Sequence, residues 1–145
     1  GTFSITTWAK INSINSHAPT LIDRHVINQA RILLYAEYGN QLPRIYIAHT
    51  NGSTSTYVTG PTAIDDGVWH CWHANRRGNG ELELWIDGVK VAYGGIGVDS
   101  ISVSTNGPTI IGNDYTGGLG GYVNGEMALT RISATAPSPE QIKKI

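Results

Sequence analysis

The stretch Gly67–Ala92, GVWHCWHANRRGNGELELWIDGVKVA, decides the fold. Val68–Arg76 carries Trp69, His70, Cys71, Trp72 and His73 and reads as a strand. Arg77-Gly78-Asn79-Gly80 follows, and its glycines and asparagine accept the positive φ that hairpin loops need. Glu81–Ile86 then alternates strictly. A period of two sets Leu82, Leu84 and Ile86 on one face and Glu81, Glu83 and Trp85 on the other. Asp87-Gly88 marks a second tight turn.

Working outward, the composition bounds what such a sheet belongs to. The 145 residues suffice for one domain with a real core, read as a single unit over 1–145; a start at Gly1 rather than Met suits either an excerpt of a longer protein or a processed piece. Eighteen glycines and a charged fraction of only 14% suit an all-β domain with many turns. A net charge of −1 with scattered Lys and Arg gives no basic face for nucleic acid. No apolar run reaches the roughly 20 residues of a membrane-spanning helix, so no membrane insertion is expected. Cys71 is the single cysteine and excludes an internal disulfide.

Along the rest of the chain, short apolar segments alternate with turn punctuation. Gly1–Ile11 has bulky apolar residues in both alternating sets, as a strand inside a two-layer stack would, and Trp8 is expected to pack in the core. Asn12–Thr20 reads as a polar loop and Leu21–Ile27 as a strand. Ala30–Tyr38 has Ala, Leu and Glu that also suit a helix, but the period-two set Ile32, Leu34, Ala36 favours a strand. Arg44–Thr50 sets Ile45 and Ile47 against Arg44 and Tyr46, Asn51-Gly52-Ser53 is a turn, and Thr54–Thr59 is a polar strand suited to a sheet edge. Tyr93–Val98, Asp99–Asn106 and the glycine-rich Asn113–Gly121 read as loops, Pro108–Gly112 and Tyr122–Ser133 as strands. Ser138-Pro139-Glu140-Gln141 has the form of a capping-box helix start, in a helix expected to run to the end of the chain. About ten short strands point to an antiparallel two-sheet β-sandwich or jelly roll with a short C-terminal helix.

Four further phrases carry a family resemblance together with the central one. The hairpin resembles the strand pair of laminin-G-like, concanavalin A-like lectin/glucanase jelly rolls, where Asp-Gly-x-Trp-His leads to a strand ending in Asp-Gly. FSITTWAK, with Trp8, resembles the phrase FSISFWVK; PTIIG resembles PLTIG; YVNGEMALTRIS resembles FxGxIDEVRIY; and SPEQI resembles LSxEEI. The resemblance implies the jelly-roll fold over almost the whole chain. It says much less about the ligand, because fold and function separate in so large a superfamily. The ending RISATAPSPEQIKKI also resembles the ends of such modules in phage tail and other virion proteins, which implies a place in an extracellular or virion protein and host attachment as a role.

Several constellations bear on chemistry. A glucanase of this superfamily would show Glu-x-Asp-x-x-Glu, with carboxyls roughly 5–5.5 Å apart for a retaining mechanism. Glu81 and Glu83 share a strand face roughly 6–7 Å apart, but the Asp and the third acid are missing, and an exposed charged face is the plainer reading. His70 and His73 fall on opposite faces of a strand and make a poor metal pair, and His70 matches a packed, hydrogen-bonded histidine of the family. The resemblance raises Ca²⁺ as a cofactor at the sandwich rim, with Asp65, Asp66, Asn113 and Asp114 as loop ligands. The family's closing-strand Asp falls on Ala128, which weakens that set.

Sugar recognition needs an exposed aromatic platform beside hydrogen-bonding groups. If the hairpin turn is three residues, Trp69, Cys71, His73 and Asn75 share a face with Glu83 and Trp85; if four, His70, Trp72 and Arg76 do. The family phrase favours the first, with Trp72 in the core. Tyr35, Tyr46, Arg31 and Arg44 are expected to extend that face, and Tyr115 and Tyr122 flank the glycine-rich loop. The leading reading is therefore a non-catalytic module that binds a glycan or cell-surface polysaccharide through Trp85, Glu83, His73, Asn75, Tyr46 and Arg44. A structural or decoration module contacting other virion or extracellular domains is the alternative, and a glycanase using Glu81 and Glu83 ranks third.

Overall fold

The computed structural model describes residues 1–12, 17–25, 31–48, 55–95, 107–114 and 120–145. The turn expected at Asn51-Gly52-Ser53, the loop at 99–106, Val26, Ile27, His49 and Tyr115 lie outside the described residues. The described strands are β1 (Phe3–Asn12), β2 (Ala18–His25), β3 (Arg31–Ala36), β4 (Pro43–Ala48), β5 (Ser55–Thr59), β6 (Asp66–Arg76), β7 (Leu82–Ile86), β8 (Val89–Gly94), β9 (Thr109–Ile111), β10 (Gly120–Gly121) and β11 (Gly125–Ser133). One short helix, α1 (Pro139–Ile142), follows.

Two sheets stack face to face. The first has the order β11-β1-β6-β7-β8. The second has β10-β2-β3-β4-β5, with β9 also paired to β2. Pairing is antiparallel except for the two-residue β10, which runs parallel to β2. The central hairpin pairs Asn75 with Glu83 and His73 with Trp85, so residues 77–81 form the loop and the odd-numbered set faces outward. Gly80 takes φ +85° there, and Arg77 N–H donates to the Glu81 carbonyl. At the next turn Asp87 and Gly88 both have positive φ, 52° and 75°, in the two-residue geometry that matches strand twist.

The core follows from alternation. Phe3, Ile5, Ala9 and Ile11 of β1, Trp72 and Ala74 of β6, and Leu82, Leu84 and Ile86 of β7 meet Ile22, Ile32, Leu34, Ile45, Ile47 and Val58 of the second sheet. Each large side chain buried this way contributes about 1.5–3 kcal/mol. Trp72 is fully buried, as the family phrase implied.

Four local expectations change. Trp8 does not enter the core: it lies on the outer face of the first sheet, half-buried beside Cys71, because β1 sends Phe3, Ile5, Thr7 and Ala9 inward instead. β2 begins at Ala18, inside the stretch that composition marked as loop, since Pro19 and Thr20 find partners in β10 and β3. Val89–Gly94 is a full strand that takes in the start of the expected loop at Tyr93. The capping box does form, with Ser138 and Gln141 side chains each serving the other's backbone, but α1 stops at Ile142 rather than running to the chain end. Ile142 is buried, and the segment around it covers the outer face of the first sheet near Trp8, Cys71 and Gly88.

β11 carries a bulge opposite Thr7, where Leu129 takes φ +51° and turns out to solvent. At its start Gly125 passes so close to β1 that a Cβ would sit 1.9 Å from the Lys10 carbonyl oxygen. Gly125→Ala should therefore cost about 1–3 kcal/mol in a denaturant melt, the usual result of overpacking. An unchanged midpoint would show that β11 does not approach β1 in this way.

Candidate functional site

The outward set of the central hairpin forms a connected polar chain. Thr6 Oγ1 lies 2.7 Å from His73 Nδ1, and His73 Nε2 lies 2.7 Å from Asn75 Oδ1. Asn75 Nδ2 donates to Glu83 Oε2 at 3.0 Å, which also accepts from Arg77 Nη2 at 2.6 Å and Trp85 Nε1 at 3.4 Å. Lys90 Nζ reaches Glu83 Oε1 at 3.4 Å. Since Asn75 spends its amide on Glu83, its carbonyl must accept, so His73 donates from Nε2 and accepts from Thr6 at Nδ1. That is a neutral tautomer. Burial pushes the His73 pKa down, in agreement. Burial pushes Glu83 up, but its bonds to Asn75 and Arg77 outweigh it and hold the carboxyl below its ordinary value.

This geometry corrects the expected platform. Trp85, Glu83, His73 and Asn75 do share the outer face, yet all four are buried. Arg77 donates through Nη1 to the carbonyls of Ala136 and Pro137, which stand beside His73, and Lys90 Nζ lies 5.5 Å from the centre of the Trp85 ring. Among the described residues, exposed aromatics remain only at the rim of this face, with Trp69 in β6 and Tyr93 in β8, whose ring sits 5.3 Å from Lys90 Nζ. Cys71 is buried as well, and burial with the nearby Asp87 carboxylate pushes its thiol up to about 11.

Tyr46 and Arg44 are elsewhere. They sit on the outer face of the second sheet, because β3, β4 and β5 pair with one another and not with the hairpin. There Tyr35 faces Arg44, and Tyr46 faces Tyr57, across the strands. Arg44 organises the group: Nε donates to Thr59 Oγ1 at 2.7 Å, Nη1 to the Tyr35 hydroxyl at 3.3 Å, and Nη2 pairs with Glu37. Its guanidinium lies 4.4 Å from the centre of the Tyr57 ring, and Tyr57 is 53% exposed. Burial raises the Tyr35 pKa. Further along this face Arg31 joins the buried carboxylates of Asp23 and Asp114. Tyr57 was missed in the sequence; its alternation with Ser55 and Thr59 in a polar edge strand was the available signal.

The model of the concanavalin A-like lectin/glucanases superfamily matches residues 1–143. The chain belongs to this superfamily. Among solved structures it is similar to domain 4 of AbnA, an extracellular arabinanase from Geobacillus stearothermophilus in complex with arabinotriose. The TM-score is 0.77 at 18% identity, over 99% of this chain and 65% of that one. It is also similar to the CBM40 of Ruminococcus gnavus IT-sialidase bound to α2,3-sialyllactose, with TM-score 0.73 and 14% identity over 99% and 81% of the two chains. A third is a botulinum neurotoxin type C structure whose cell entry depends on two ganglioside molecules, with TM-score 0.69 and 15% identity over 99% and 35%. At these identities the likeness establishes the jelly-roll fold. No curated protein matches the chain.

Membership raises two chemistries that the residues can be held against. A glycosidase pair needs one carboxyl with a raised pKa. Glu83 is instead lowered by its partners, and Glu81 sits outside β7 with its oxygen 3.4 Å from Asn79 Nδ2. Glu83 is thus engaged by Asn75, Arg77 and Lys90 rather than free to serve as a general acid. A calcium cradle needs several oxygens converging on one point. Asp114 is taken up by Arg31, Asn113 caps the Asp114 N–H at 2.8 Å, and Asp66 turns to His70 at 3.2 Å. Among the described residues no three carboxylate, imidazole or thiol side chains gather as a metal site. The set does not fit a shared Ca²⁺.

His70 and Glu83 should give opposite pH signatures. Burial lowers the His70 pKa, but Asp87 at 2.6 Å and Asp66 at 3.2 Å outweigh it and the net direction is up. The stabilisation is then complete below the unfolded histidine pKa of about 6.5 and is lost as pH rises through the higher folded value. Melts of His70→Gln should therefore fall short of the parent in mild acid and converge with it in base. Glu83 is lowered on folding, so its contribution is present above the unfolded pKa and is lost as pH falls through the folded value. Glu83→Gln should cost about 1–3 kcal/mol at neutral pH, with the gap closing in acid. A gap independent of pH for either variant would mean that the ion pairs do not form.

Proposed function

We propose that this domain is a non-catalytic carbohydrate-recognition module of an extracellular or virion protein, and that it engages sugar on the outer face of the second sheet. The observation that carries the reading is Tyr57, an exposed ring on an edge strand with Arg44, Tyr46 and Tyr35 fixed beside it. A sugar ring offers an apolar face to such an aromatic and hydroxyls to the tyrosine and arginine groups around it. Structures of similar fold in complex with arabinotriose or sialyllactose, and a neurotoxin that interacts with gangliosides, support the ligand class. The extracellular setting is supported by the arabinanase relative. The virion setting rests on the closing phrase alone.

A second reading, a module for protein–protein contact, has one specific observation in its favour. Trp8, Leu129 and Ile145 line a shallow recess on the outer face of the first sheet, with Leu129 79% exposed. Patches of this kind mark contact surfaces when they are large enough.

A glycan array on the folded domain, with and without chelator, tests the proposal. Saturable binding is expected, and Tyr57→Ala should weaken it roughly ten-fold, the scale of one aromatic contact. Its melting midpoint should stay near that of the parent, because the ring is exposed. Chelator should leave binding unchanged; loss would return Asp65, Asp66, Asn113 and Asp114 to the site. No binding to any glycan, together with dimers in sedimentation that Leu129→Ser dissolves, would favour the contact module.

A further inference from the structure

A cavity of about 320 Å³ opens between the two sheets, where β1 begins and β11 ends. Its walls are mostly apolar: Phe3, Ile5, Ile22, Ile32 and Ile132 all face it. Among the described residues Arg24 is the one charged side chain in its wall. Arg24 stands on β2 between Ile32 of β3 and Thr109 of β9, on the inward-facing side of the strand with Ile22.

Arg31, Arg44 and Arg77 are each neutralised by a carboxylate: Arg31 has Asp23 and Asp114, Arg44 has Glu37, and Arg77 has Glu83. Arg24 is different. Its Nε is buried without a hydrogen-bond partner, and it makes no ion pair among the described residues. A buried donor left unpaired costs about 1–3 kcal/mol, and more when it belongs to a charged group. Among the described residues no carboxylate side chain lines the cavity to offset that cost.

We infer that this cavity binds a small amphiphilic carboxylate. Its tail would lie among the isoleucines and Phe3, and its carboxylate would accept from the Arg24 guanidinium. The fork of N–H donors on one guanidinium matches the two oxygens of one carboxylate. A doubly charged phosphate would bring a surplus charge against apolar walls, which is unfavourable. The volume lies at the small end of the roughly 300–1,000 Å³ typical of ligand sites, so a short acyl chain or a single ring fits better than a long lipid. The site is independent of the sugar face, which lies on the outer surface of the second sheet.

Octanoate, kept below its micelle-forming concentration, is the probe, and octan-1-ol is the uncharged control. Titration calorimetry on the folded domain should show one saturable octanoate site, with octanol at least about ten-fold weaker, as expected for loss of a charge-assisted bond. Arg24→Met keeps the apolar stem and should reduce octanoate affinity by the same factor without changing octanol. Ile132→Trp, which fills the cavity and leaves Arg24 in place, should abolish both. Binding of glycan through Tyr57 should be unaffected by either change, so failure here is distinct from failure of the sugar proposal. Non-saturable octanoate uptake, equal affinity for octanol, or full affinity in folded Arg24→Met would overturn the inference.

Discussion

The carboxylate of Glu83 is the constraint on which the first sheet turns. It is a charge on a sheet face that has become an interior, and it survives there because Asn75, Arg77, Trp85 and Lys90 converge on it. Taking a carboxylate out of water without such partners is prohibitive. The same network fixes register. A slip of one residue between β6 and β7 would carry Glu83 into the apolar core and bring Leu82 and Leu84 out, reversing every burial preference in the hairpin. Arg77 then passes the constraint on to the chain end, since one guanidinium binds both Glu83 and the carbonyls that precede α1.

The two outer faces therefore do different work with similar residue types. On the first, aromatic and charged groups are buried and stabilise the fold. On the second, Arg44 is also satisfied, by Thr59, Tyr35 and Glu37, but nothing described lies over Tyr57. An arginine held this way is a rigid neighbour for an exposed ring, and its side-chain entropy is already lost before any partner arrives.

How much of this was legible in the sequence depended on the range of the interaction. The hairpin was legible because a period of two in Glu81–Ile86 and glycine in the turns act locally, and the capping box at Ser138 was legible for the same reason. Two alternatives for the hairpin face remained, and the odd loop of 77–81 settles them. Burial of His73 was not legible, because Ala136 and Pro137, about sixty positions away, stand beside it. Trp8 misled for a related reason: a tryptophan in a strand is apolar on either face, and only pairing with Cys71 and Ala128 shows which face it takes. The sheet to which Tyr46 belongs is a matter of topology, and alternation within one strand carries no information about it.

Cys71 has a bearing on how such a domain tolerates its surroundings. Its thiol is buried and its pKa stands at about 11, so at neutral pH almost none of it is thiolate, the form that attacks disulfides or peroxides. With no second cysteine in the chain, the fold has no internal disulfide to lose in a reducing compartment. With its one thiol unreactive, it has no ready handle for covalent cross-linking in an oxidising one. The architecture in that sense holds together without disulfide chemistry.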